Sequence, residues 1–206
     1  IKPSEGEISY DRKNIDEINI QERAFTRSVM SQLQAIAFDF SVKEIIEMGW
    51  VSRGESTYAK EFEDAVMEVV IKCGVKSLIN RNFNTLSGGE QRRIHFARTL
   101  LQLWRPSNSD DPKYLLLDEP TANLDLTYEV KLLNIVKEAA SEGAGVMLVL
   151  HDLNLAAKFS DKIALLNKGS VVKTGTPKEV LNPDILSQVY DIDIKVQEDP
   201  LFITYY

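Results

Sequence analysis

Two uninterrupted apolar runs, Tyr114–Leu117 and Val146–Leu150, constrain this chain more than any other feature of it. A strand that is apolar at every position, with no polar alternation, reads as buried on both faces, the situation of a parallel sheet covered by helices. Between the runs, Thr127–Glu142 places Val130, Leu133, Val136 and Ala140 at helical spacing and stops at Gly143. Strand, amphipathic helix and strand in that order read as a parallel βαβ unit, and hence as an α/β fold.

The flanking sequence adds to this unit without repeating it. Gly6–Ile20 reads as short strands with polar turns, and a further strand is expected around Ala24–Met30. From Ser41 to Leu103 the rhythm is helical. Ser41 and Glu44 form a capping box ahead of Ile45, Ile46 and Met48. A second helix aligns Phe62, Ala65, Val66, Val69, Val70 and Cys73, with Gly74 where a C-terminal cap belongs. A third follows Ser87 and turns Ile94, Ala97, Leu100, Leu101 and Trp104 to one side. Arg105–Pro112 reads as a polar linker. Past the second apolar run, Ile163–Leu166 and Ser170–Lys173 flank the hairpin turn Asn167-Lys168-Gly169. Thr176, Pro177 and Glu179 then open another helix. The expected organisation is an α/β core of residues 1–40 and 106–206, interrupted by an all-helical subdomain of residues 41–105.

The 206 residues suffice for one domain carrying a subdomain, and 44% hydrophobic with 27% charged residues is ordinary for a globular protein. A net charge of −7 argues against a nucleic-acid partner, which wants clustered Lys and Arg. The longest apolar run is far too short to span a bilayer, and the first residues, IKPSEGEISY, hold no apolar signal core. One cysteine, Cys73, excludes an internal disulfide framework and fits a small apolar place on a helix face.

Three motifs carry chemistry. The strand LLL ends in Asp118 and Glu119, at the carboxyl edge where open α/β sheets bind ligands. Phosphoryl-transfer sites need a carboxylate there to support Mg²⁺ and a second group to orient the attacking water. Asp118 could equally cap the turn that follows. In LSGGEQ, Ser87 is placed as an N-cap and Glu90 completes a capping box. Gly88 and Gly89 remove side chains at a positive helix end, so backbone N–H groups there can approach a phosphate. An ordinary capped helix is the plainer alternative, but two glycines in its first turn weaken it by roughly 1 kcal/mol each relative to Ala. His151 follows the second apolar strand directly; a lone His there is more often structural.

Taken together, LSGGEQ, YLLLDEP, ANLD and LVLHD in this order resemble the ATP-binding cassette family, over about Ile1 to Pro183. The resemblance implies a P-loop NTPase-like core with an inserted helical subdomain. It implies a signature motif at Leu86–Gln91, a Walker B strand at Tyr114–Glu119, a D-loop at Ala122–Asp125 and a switch histidine at His151. Gln32, in SVMSQ, matches the Q-loop glutamine that senses Mg²⁺ and meets the membrane partner. By the same resemblance Glu119, His151 and Gln32 are catalytic, Asp118 and Gln32 support Mg²⁺ through water, and Ser87, Gly88, Gly89, Gln91 and Asp125 contact ATP. Ser87, Gly88 and Gly89 are expected to reach the γ-phosphate held by the opposite subunit of a head-to-tail homodimer. No G-x-x-x-x-G-K-[ST] occurs in the sequence. The resemblance therefore places that loop, with its strands and helix, upstream of Ile1, and implies that these residues alone bind ATP poorly.

FDFSVKEIIEMGW and TPKEVLNPDIL resemble importers of iron chelates, vitamin B12 and haem, and ARTLLQLW with the spacer RPSNSDDPKY resembles the hemin-import ATPases. The implied assembly is an ATPase homodimer on two transmembrane permease subunits at the cytoplasmic face of the inner membrane, served by a periplasmic hemin-binding protein. Iron-siderophore or vitamin B12 import is the alternative, as is a non-catalytic interaction module.

Overall fold

The computed structural model describes residues 3–31, 38–50, 58–107 and 109–205. They form two compact units, 1–148 and 149–206.

The first unit opens with a hairpin of β1 (Ser9–Tyr10) and β2 (Lys13–Asn14), turned by Asp11 and Arg12 at φ of 47° and 67°. The helix α1 (Ile20–Thr26) follows, its N-cap Asn19 accepting from the Glu22 amide at 2.8 Å. This corrects the expected strand over Ala24–Met30, of which only β3 (Arg27–Met30) is extended. The Asn19 cap commits the chain to helix, and the Thr26 hydroxyl donates back to the Glu22 carbonyl at 3.1 Å, which satisfies the last turn locally.

Helices α2 (Val42–Glu47), α3 (Phe62–Lys72) and α4 (Gly88–Leu103) come next. Ser41 and Glu44 form the expected capping box. Ile45, Ile46, Ala65, Val66, Val69, Val70, Ile94, Ala97 and Leu101 are buried between α2, α3 and α4. The turn that follows α2 lies tight on α4: a Cβ on Gly49 would stand 2.1 Å from the Arg98 carbonyl oxygen. Trp104 ends α4 at half-burial, its indole N–H donating to Glu68 at 2.8 Å. The start of the expected polar linker is anchored, because Arg105 is buried, donates to the Phe25 and Trp104 carbonyls and lies on the Phe25 ring.

The βαβ unit is present as β4 (Tyr114–Asp118), α5 (Leu126–Ser141) and β5 (Gly145–Val149). The sheet runs β3-β4-β5, with β3 and β4 parallel from Arg27↔Tyr114 to Met30↔Leu117. Ser28 and Met30 share one face with Leu115 and Leu117 and are buried there, where α4 packs; the Ser28 hydroxyl donates to the Thr99 carbonyl at 2.7 Å. The expectation that Tyr114–Leu117 and Val146–Leu150 are buried on both faces holds less well, since Leu116, Val146 and Leu148 are only half-buried. Val29 is 40% exposed, and Met147, on the edge strand β5, is 63% exposed. In α5 the buried stripe is Leu132, Leu133, Ile135 and Val136, with Val130 and Ala140 only half-buried.

The second unit contains α6 (Leu153–Phe159), the hairpin β6 (Ile163–Asn167) and β7 (Ser170–Gly175), α7 (Pro177–Val180), α8 (Pro183–Tyr190), and the antiparallel pair β8 (Ile194–Glu198) and β9 (Leu201–Tyr205). Lys168 and Gly169, both at positive φ, make the hairpin turn, and Thr176 with Glu179 the capping box. The core of this unit is Leu165, Val180, Leu181, Leu186, Ile194 and Ile203.

Candidate functional site

The site begins where β4 stops. Asp118, the last residue of the strand, is exposed, while Glu119 is half-buried and turns the chain at a φ of 48°. A non-glycine residue in this left-handed region costs on the order of 1 kcal/mol and persists only where its surroundings hold it. The turn continues with Ala122 donating to the Glu119 carbonyl at 3.2 Å and Asn123 at a φ of 62°. Asp125 then caps α5, accepting from the Tyr128 amide at 3.1 Å.

The first turn of α4 lies against this loop. Ser87 is its N-cap: the hydroxyl accepts from the Glu90 amide at 3.3 Å and the Glu90 carboxylate accepts from the Ser87 amide at 2.8 Å. These contacts, led by the Ser87 backbone N–H, hold the Glu90 carboxyl below the usual carboxylate range. A Cβ on Gly89 would meet the Asn123 carbonyl oxygen at 3.1 Å, so this glycine permits the approach of α4 to the loop. A Cβ on Gly88 would meet nothing within 4 Å. Packing inside the chain therefore gives no reason for glycine at position 88, whereas an anion arriving from outside at a helix N-terminus does. Gln91 is half-buried and its amide donates to the Phe83 carbonyl at 3.3 Å.

Arg92, five residues beyond Ser87, joins the two segments. Its guanidinium donates to the carbonyl oxygens of Asp118 at 3.4 Å, of Pro120 at 3.3 Å, and of Glu119. Burial pulls the Arg92 pKa below its ordinary value, while the neighbouring Glu119 and Asp118 carboxylates push it back up. The sequence reading passed over Arg92. The signal was available, since Arg92, Phe96, Thr99 and Leu103 fall at helical spacing and all four are buried. A cation on such a stripe needs partners.

Thus α4 meets the loop that carries Asp118, Glu119 and Asp125 at Gly89 and Arg92 within the first unit, and Ser87 and Gly88 open the same helix. His151 lies in the second unit, exposed, just ahead of Asp152, which caps α6 by accepting from the Asn154 and Leu155 amides. Gln32 falls outside the described residues.

The donor set can be tested against Mg²⁺ and a nucleotide. An exposed carboxylate at a parallel strand's carboxyl end suits a Mg²⁺ ion held through water and substrate phosphates, the usual state of that ion. The open, positive start of α4 suits a phosphate. Both fit.

A family model described as "ABC transporter" matches residues 1–122. The hemin import ATP-binding protein HmuV of Rhodopseudomonas palustris (strain BisB5) is 39% identical over 200 residues, which is 97% of this chain and 74% of that protein. HmuV of Escherichia coli O157:H7 is 40% identical over 201 residues, 97% of this chain and 76% of that protein. Among solved structures, the dimeric bacterial ABC transporter cassette MJ0796 superposes with a TM-score of 0.71 at 25% identity, over 86% of this chain and 75% of that one. An ATP-binding subunit of an ABC transporter gives a TM-score of 0.75 at 19% identity, over 93% and 77%, a likeness of fold.

Proposed function

The chain belongs to the ABC transporter family, and from that premise we propose that it is the ATPase subunit powering hemin import, acting as a homodimer beneath two membrane-spanning permease subunits. The observation that carries the ATPase reading is the carboxylate pair at the end of the parallel strand β4, exposed Asp118 and left-handed Glu119, beside a helix start left open at Gly88 for a phosphate of the opposite subunit. The hemin cargo is supported by the two import proteins near 40% identity, which this chain matches over 97% of its length. No described helix is long and apolar enough to cross a membrane, so attachment at the cytoplasmic face would run through the permeases. We keep residues 41–105, which contain α2 to α4, as an inserted helical subdomain.

Within this reading Glu119 is the general base that takes a proton from the attacking water, and Asp118 supports Mg²⁺ through water. When bound, Mg²⁺ neutralises charge on the phosphates. Ser87, Gly88 and Gly89 meet the γ-phosphate of ATP held by the opposite subunit, with Gln91 and Asp125 bordering the nucleotide. Asp125 also caps α5, so its carboxylate orders the loop that faces the site. Gln32 and His151 complete the set as Mg²⁺ sensor and switch residue. A periplasmic hemin-binding protein delivers cargo without touching this subunit.

The test is Glu119→Gln in the full-length natural polypeptide. The variant should bind ATP and hydrolyse it on the order of 100-fold or more slowly, the scale of losing a general base. Hydrolysis within about twofold of the parent would remove Glu119 from that role.

A further inference from the structure

We propose that Arg92 is a positioning residue for hydrolysis: it fixes the turn that presents Glu119 and ties that turn to the signature helix of the same chain. The inference rests on the reading of Glu119 as the base.

Three successive carbonyl groups, those of Asp118, Glu119 and Pro120, accept from this one guanidinium. Consecutive carbonyls of an extended strand point to opposite sides. For three in a row to converge on one donor the chain must turn sharply, and the left-handed Glu119 at a φ of 48° makes that turn. Arg92 is 9% exposed and Pro120 is buried, so the side chain also satisfies carbonyl oxygen that has little access to water. Removing the donors leaves the strained turn without its clamp, and the backbone there can relax toward ordinary φ values. Relaxation at Glu119 swings the direction in which its Cβ leaves the chain, and a base displaced by about 1 Å loses up to about 100-fold in rate. Arg92 needs no contact with substrate to act in this way.

The position on α4 gives the clamp a second consequence. Ser87 and Gly88 begin the same helix five and four residues earlier. A phosphate that settles on that helix start therefore bears, through one rigid turn of helix, on the loop holding the catalytic carboxylate of the same subunit.

The experiment is steady-state ATP hydrolysis by the full-length subunit assembled with its permease, comparing Arg92→Met, Arg92→Gln, Glu119→Gln and the double variant Arg92→Met/Glu119→Gln. Arg92→Met keeps the volume and removes every donor. It should lower kcat by roughly 10-fold to 100-fold while leaving KM for ATP within about twofold. Arg92→Gln, whose amide still donates, should fall between Met and the parent. The double variant should be no slower than Glu119→Gln alone, because both changes disable one base. A parental kcat in Arg92→Met, a loss confined to KM, or losses that multiply in the double variant would each overturn the proposal. Should Arg92→Met fail to fold, Arg92→Gln combined with Glu119→Gln makes the same comparison. A fully active Glu119→Gln single variant would instead overturn the base assignment beneath it.

Discussion

Replacing Gly88 by alanine separates a helix built for packing from one built to receive a phosphate. Gly88 is the first residue of α4, its φ lies outside the left-handed region, and a Cβ there would meet nothing within 4 Å. Alanine thus costs nothing sterically. It removes backbone freedom from the unfolded chain and should stabilise the fold by about 0.5–1 kcal/mol. In a chain of this size that raises Tm by roughly 1–4 °C. Gly89→Ala is the internal control, because its Cβ would stand 3.1 Å from the Asn123 carbonyl oxygen and should forfeit the gain. If the open space above Gly88 is where a phosphate of the opposite subunit approaches, the added methyl group blocks backbone N–H donors. Hydrolysis should then fall by on the order of 100-fold, the scale of losing one preorganised donor. The assay pairs thermal unfolding by circular dichroism with steady-state hydrolysis on the full-length polypeptide. A Gly88→Ala variant that melts higher and hydrolyses at the parental rate would refute the phosphate argument, and one that melts lower would refute the packing argument.

Gly49→Ala tests the contact of the turn after α2 with α4. A Cβ 2.1 Å from the Arg98 carbonyl oxygen must push the two backbones apart, so the urea midpoint should drop by the equivalent of roughly 3 kcal/mol; an unchanged midpoint would contradict the tight crossing. Cys73 is buried, and burial raises its thiol pKa from 9.0 to about 12, with Lys131, Lys72 and Arg93 pulling less strongly the other way. Because the folded pKa is the higher one, this group's contribution is fully present below pH 9.0 and is lost as pH rises toward about 12. Iodoacetamide should accordingly leave the native thiol unmodified at neutral pH and react on unfolding, and rapid native alkylation would contradict its burial.

What the sequence revealed and what it hid have physical causes. The βαβ core was legible because β4, α5 and β5 are short-range patterns: apolar runs, a helical stripe and a stop at Gly143. The capping boxes at Ser41 and Ser87 were legible for the same reason, since donor and acceptor lie three residues apart. The exposure of Met147 was hidden, because whether a strand is covered depends on its place in the sheet and not on its own residues. The last residues of α1, Ala24–Thr26, read as strand because Phe25 and Thr26 suit either, and the Asn19 cap decides. At the site, Asp118, Glu119 and Ser87 could be named from motifs, but the left-handed turn at Glu119 and the Arg92 clamp depend on contacts 26 to 28 residues apart. The pair β8 and β9 went unassigned: on β8 Ile194 and Val196 alternate inward with polar Lys195 and Gln197, but on β9 the outward residue between Leu201 and Ile203 is Phe202, which blurs the pattern.

The most direct test of the central claim is cargo-stimulated hydrolysis. The full-length subunit, reconstituted with its own permease in lipid vesicles, is offered binding proteins loaded with hemin, cobalamin or a ferric siderophore. The account predicts that ATP hydrolysis rises above its basal rate with the hemin-loaded protein alone. Stimulation by the cobalamin- or siderophore-loaded protein, with none by hemin, would contradict it.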